Sequence, residues 1–190
     1  MGDQMPDVFQ VLKQDHDEVK VLLVQLEDGP KASDGATPEQ LAFRRQALDE
    51  LIIEQTRHEA AEQQYFWPVL GGLGPDGARV MQDGLEQENE AEALLAELSK
   101  LEPGDAVFEE RLAAFISAAR SHILFEEAHA WPLLEAVINH DQAQALGARI
   151  VHAKEKAPTR PQPHIPAQAP SMGNETYQPG GARPGGNRGM

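Results

Sequence analysis

The chain has 190 residues, 41% of them hydrophobic, which suits one well-buried domain with a tail and is short for two domains. Its formal net charge of −15 sets the overall field against nucleic acid and against anionic membrane surfaces. With no cysteine anywhere, disulfides, zinc–thiolate sites, thiolate-bound haem and iron–sulfur clusters are excluded, and any metal must sit on nitrogen and oxygen.

The amino terminus has no basic segment followed by an apolar one, and no run of about 18 apolar residues occurs, so a soluble, cytoplasmic protein is expected. Four long segments carry helical periodicity, near residues 7–28, 38–70, 77–101 and 105–139. In the first, Val8, Leu12, His16, Val19, Leu23 and Leu26 form one apolar stripe that contains a histidine. Gly29 and Pro30 end it. The second stripe runs Leu41, Leu48, Leu51, Gln55, His58, Glu62, Tyr65 and Val69, and Gly71, Gly72, Gly74 and Pro75 close that helix. The third runs Met81, Leu85, Glu88, Ala91, Leu95 and Leu98 before Pro103 and Gly104. The fourth is the most regular: Phe108, Leu112, Phe115, Ala119, His122, Glu126, Ala130, Leu133 and Val137. Each stripe therefore has polar residues where core positions fall due.

Short connections between helices of similar length predict an all-α, antiparallel up-down-up-down four-helix bundle. A short fifth helix is expected from about Asp141, as its N-cap, to Lys154. Half of the 14 prolines fall between Pro158 and Pro184, and the chain ends glycine-rich. The domain is accordingly placed at residues 1–156 and a disordered tail at 157–190.

Two internal repeats organise the polar interruptions. His58, Glu62, Trp67, Pro68 and Leu70 match His122, Glu126, Trp131, Pro132 and Leu134 at a constant offset of 64, and the chain has only these two tryptophans. A weaker repeat, offset by 72, aligns the run from Asp15 to Leu26 with that from Gln87 to Leu98 and puts Glu88 where His16 stands. In the bundle these repeats amount to a pseudo-twofold axis that brings the interruptions to one level. His and Glu four residues apart share a helix face about 6 Å apart, so both can reach one ion. Leaving such groups unpaired in an apolar core would cost several kcal/mol each. A donor set of imidazole and carboxylate suits iron or manganese, with zinc as a competitor.

The order His16, His58-x-x-x-Glu62 and His122-x-x-x-Glu126-Glu127, the last two each followed by Trp-Pro-x-Leu, resembles the hemerythrin-like (HHE cation-binding) family over roughly residues 7–139. The resemblance implies a non-haem di-iron centre bridged by an oxo or hydroxo group and two carboxylates. It further implies His16, His58 and His122 as terminal ligands, Glu62 as one bridge, and Glu126 or Glu127 as the other; the stripe favours Glu126. The sequence departs from the family on the third helix, where histidine is expected and none occurs between His58 and His122. Glu88 is the substitute that both stripe and repeat indicate, and Glu59 is a further candidate beside His58. The expected function is a di-iron protein that binds or reacts with dioxygen, peroxide or nitric oxide in sensing or detoxification, with binding and turnover both open. The alternatives are iron binding with ferrous oxidation and storage, and a metal-free helical interaction module.

Overall fold

The computed structural model describes residues 5–161. Five helices account for the fold. Helix α1 is Val8–Asp28, and a 3-10 turn at Ala32–Asp34 follows it. Helix α2 runs Pro38–Ala61, passes through a π-helical turn at Glu62–Phe66 and finishes as Trp67–Gly71. Helix α3 is Pro75–Leu98. Helix α4 repeats the pattern of α2, as Phe108–Phe125, a π turn at Glu126–Ala130 and Trp131–Glu135. Helix α5 is His140–Lys156. No strand occurs among the described residues, none of their helices is long and apolar enough to cross a membrane, and the expected tail lies outside them from residue 162 onward.

Local chemistry sets the helix starts. Asp7, Thr37 and Asn139 each accept a hydrogen bond from the backbone of N3, whose Gln side chain answers the cap's own N–H. The cap of α5 is thus Asn139, two residues before the expected Asp141: its side chain accepts from the Gln142 N–H while the Gln142 side chain accepts from the Asn139 N–H.

Side-chain contacts establish the antiparallel packing. Helix α1 meets α2 through Asp15 with His58 and through Leu26 with Arg44, so the residue numbers run in opposite directions. The same holds for α1 with α4, through Lys20 with Glu127 and Glu27 with Arg120, and for α3 with α4, through Glu88 with His122 and Glu97 with Arg111. The bundle is the one expected.

The π turns shift the apolar stripes. A proline in a helix has no N–H, and its ring collides with the carbonyl four residues back. Ahead of Pro68 and Pro132 the helix widens, so that the Trp67 and Trp131 N–H groups reach five residues back to Glu62 and Glu126. One extra residue in the turn rotates the remainder of the helix. Phe66, Trp67 and Leu70 are buried where Tyr65 and Val69 were expected, and Trp131 and Leu134 take the place of Leu133 and Val137. Leu41, Met81 and Leu85 are only half-buried, and Val80 and Gly84 face inward on α3.

The core falls into two apolar clusters. One is built on Leu23, Leu26, Leu48, Leu51, Leu95, Phe108 and Phe115, toward the α1–α2 turn. The other is built on Leu12, Phe66, Trp67, Leu70, Trp131, Leu146 and Ile150, where α5 covers the ends that carry the π turns. A buried polar layer separates them.

At the far end Arg44, almost fully buried, donates to the Leu26 carbonyl at the end of α1 and pairs with Glu109 of α4. It satisfies a helix C-terminal carbonyl and ties three helices together. Replacing it (Arg44→Ala) is expected to lower unfolding free energy by about 3 kcal/mol, since a buried carbonyl and a carboxylate lose their partner. Urea denaturation reads the loss, and metal content stays as in the unmodified protein because the polar layer is not touched.

Candidate metal centre

The separating layer contains His16, His58, Glu59, Glu62, Glu88, His122 and Glu126, all nearly inaccessible to solvent, with Asp15, Gln55 and Thr56 around them. Six of the eight candidate residues converge into two groups whose ligand atoms lie within 4.8 Å of one another: His16, His58 and Glu126 in one, and Glu62, Glu88, His122 and Glu126 in the other. Glu126 belongs to both. It lies 2.9 Å from His16 Nε2 and 3.6 Å from His122 Nε2 by its two different oxygens. Glu62 reaches across in the same way, its Oε2 being 2.9 Å from His58 Nε2.

These contacts are close but not aligned as hydrogen bonds. Both oxygens of Glu62 and of Glu126, His16 Nε2 and both ring nitrogens of His122 are buried without a hydrogen-bond partner. Buried polar groups are ordinarily paired. So many orphan donors and acceptors aimed at two common points, all imidazole nitrogen or carboxylate oxygen, fit divalent cations of the first transition row. The two π turns begin at Glu62 and Glu126, so the widened backbone sits at the shared carboxylates.

The surroundings orient the imidazoles. His58 Nδ1 is 3.3 Å from Asp15 Oδ2, and His16 Nδ1 is 3.1 Å from Glu127 Oε1, which turns each Nε2 inward. Glu127 is 31% exposed, receives Lys20 Nζ at 2.7 Å and stands outside both groups, so Glu126 faces the centre and Glu127 backs a histidine. Glu59 is also outside them, held at 2.8 Å by Gln55 Nε2. Trp131 stacks on His16 with ring centroids 5.0 Å apart. Glu88 accepts from Trp67 Nε1 and, at 2.8 Å, from Gln63 Nε2. The Trp67 ring lies over Gly84, where a Cβ would come within 2.3 Å of it, so only glycine leaves room for the indole that holds Glu88.

Asp15, Gln63 and Trp67 did not stand out in the sequence as parts of the site. Asp15 sits one residue before a candidate histidine, and Trp67 is the repeated tryptophan, but neither position shows what its side chain reaches. Tyr65 is half-buried beside the cluster that α5 covers, and His129 is exposed against Phe125. By the offset of 72 the counterpart of Asp15 is Gln87; its Oε1 and His122 Nδ1 are both buried without a partner, so the two halves differ in how their histidines are held.

Crowded carboxylates titrate far apart. Burial and the neighbouring Glu126 push Glu62 up to about 8, and burial with the Glu92 charge pushes Glu59 to about 8 against the Gln55 bond. Burial, with Glu62 and Glu59, holds Glu88 well above the carboxylate range. Burial opposes ionisation of Glu126 too, but His122, His16 and His58 outweigh it and hold Glu126 at about 2. Burial lowers His122, which keeps its imidazole neutral and its lone pair available.

The signs fix a pH dependence for the metal-free protein. Glu59 and Glu62, raised from 4.5 to about 8, stabilise the fold fully below pH 4.5, and this contribution is lost as pH rises toward 8. Glu126, lowered to about 2, contributes above 4.5 and loses its effect as pH falls toward 2. Chelator-treated protein is therefore expected to have a higher urea midpoint at pH 5 than at pH 8. Metal displaces these protons, so loaded protein should show the opposite slope.

A sequence model of the Hemerythrin HHE cation binding domain matches residues 6–134. No curated protein sequence matches the chain. Among solved structures, the fold is similar to that of a Hemerythrin HHE cation binding domain-containing protein from Mycobacterium kansasii, with a TM-score of 0.66 and 21% identity over 80% of this chain and 87% of that one. The matched span includes every residue of both converging groups, and the chain belongs to the hemerythrin HHE cation-binding family.

Proposed function

We propose that the chain holds two iron ions, one by His16, His58 and Glu126 and the other by Glu62, Glu88, His122 and Glu126, and that it binds or reacts with dioxygen, peroxide or nitric oxide in sensing or detoxification. The observation that carries this reading is the pair of buried groups sharing Glu126, in which both oxygens of Glu62 and Glu126, His16 Nε2 and the His122 ring nitrogens have no hydrogen-bond partner. Imidazole and carboxylate without sulfur suit iron; manganese and zinc are the competing occupants. When bound, iron supplies a redox couple and coordination positions for a small oxygen or nitrogen species.

The chain's own residues do the rest. Asp15 and Glu127 hold His58 and His16 with Nε2 inward. Neutral His122 offers its lone pair to the second group. Glu59 stays at the edge, outside both groups and held by Gln55 Nε2. The apolar clusters on either side keep bulk water and large substrates away.

A second reading has ferrous iron as the substrate, oxidised and passed on. It is favoured by the second group, where three carboxylates accompany one imidazole; hard oxygen donors stabilise ferric iron. Anaerobic loading is expected to place two ferrous ions per chain, one in each group, and His122→Ala to retain the ion of the His16 group only. Oxygen should then produce near-ultraviolet charge-transfer absorption. Oxygen consumption continuing beyond two equivalents of ferrous iron selects the second reading, and a chain that takes up no iron at all refutes both.

A further inference from the structure

Helix α5 lies beyond residues 6–134, the span that carries the family's pattern. It is nevertheless built tightly onto the bundle. Leu146 and Ile150 are buried in the apolar cluster of Phe66, Trp67 and Trp131, with Val8, Val11 and Leu12 of α1. Gly147 lets the helix touch the start of α1: a Cβ there would come within 2.7 Å of the Pro6 carbonyl oxygen. The next turns of α5 bring Lys154 to Asp15, and the two form an ion pair in which both side chains are largely buried. Asp15 uses its two oxygens separately, Oδ1 for Lys154 and Oδ2 for His58 Nδ1. A buried carboxylate held only by an imidazole could rotate or draw in water; an ammonium on its other oxygen fixes the plane of the group.

We propose that Lys154 is a positioning residue for the metal centre, locking Asp15 so that Asp15 aims His58 Nε2 at the ion. The proposal rests on the metal reading above. On the other histidine of that group Lys20 and His16 Nδ1 share one oxygen, Glu127 Oε1, and Lys20 is one turn along α1 from His16 itself. The His58 half instead draws its lysine from a helix about a hundred residues away in sequence, so the hold on that ion depends on α5 being docked.

The test compares Lys154→Ala, Lys154→Arg and, as a control on the exposed side of the same helix, Lys156→Ala, each as the full chain loaded with ferrous iron. Lys154→Ala is expected to release iron to a chelator about 10-fold to 100-fold faster, with Lys154→Arg restoring near-normal release and Lys156→Ala unchanged. In metal-free protein the His58 Nδ1 proton, followed by NMR, should exchange with water faster in Lys154→Ala, and Lys154→Arg should restore both the slow exchange and the thermal midpoint that Lys154→Ala loses by leaving Asp15 unpaired. Normal iron release in Lys154→Ala overturns the proposal. So does a lost midpoint that Lys154→Arg does not rescue, because α5 would then only be packing. Should the parent protein take up no iron, the metal reading fails by itself, and the exchange of the His58 proton alone decides this proposal: faster exchange in Lys154→Ala upholds the lock, unchanged exchange overturns it.

Discussion

The fold is organised around one carboxylate. Glu126 is completely buried, remains ionised against the full penalty of burial, and faces histidines from three helices. A carboxylate in that position is tolerable only if positive charge surrounds it. The imidazolium of His58 can provide this in the metal-free chain, but it leaves Glu62 and Glu88 crowded together and forced to keep protons. Two cations would relieve every one of these groups at once. The polar layer thus stabilises the bundle weakly by itself and strongly when its charges are neutralised, and the two apolar clusters on either side make up the stable frame that holds it open.

Much of this was legible in the sequence, because helical periodicity and burial are tightly coupled in a bundle. The stripe of α1 from Val8 to Leu26 is buried as the spacing demands, and the His-x-x-x-Glu repeats meet at one level. The bundle fold and family membership follow from the same pattern. What periodicity could not reveal was a change of period. The two Trp-Pro steps induce π turns, and beyond them Phe66 and Leu70 replace Tyr65 and Val69 in the core. The sequence carried both helices through these prolines but does not show that the helix widens ahead of them. Long-range polar contacts were equally silent: the spacing of Asp15 and Lys154 carries no hint that α5 folds back beside α1.

The third helix is where this chain departs from the family pattern, with no histidine between His58 and His122. Glu88 stands at the level where histidine was expected, is fully buried, and is gripped by Trp67 and Gln63 from α2. Trp67 reaches it only because α3 presents Gly84 beneath the indole. Glu88 is thus held by two donors in a cleared space. Its presence makes the second group richer in oxygen than the first, so the two halves of a pseudo-symmetric bundle are chemically unequal: two imidazoles on one side of Glu126, and one imidazole with two further carboxylates on the other.

This inequality is directly measurable in a crystal of the iron-loaded protein. Anomalous scattering recorded on both sides of the iron absorption edge should give two peaks that vanish below the edge, one between His16, His58 and Glu126 and one among Glu62, Glu88, His122 and Glu126, with Glu126 touching both. A single peak, peaks persisting below the iron edge, or an ion bound away from Glu126 would contradict a shared di-iron centre.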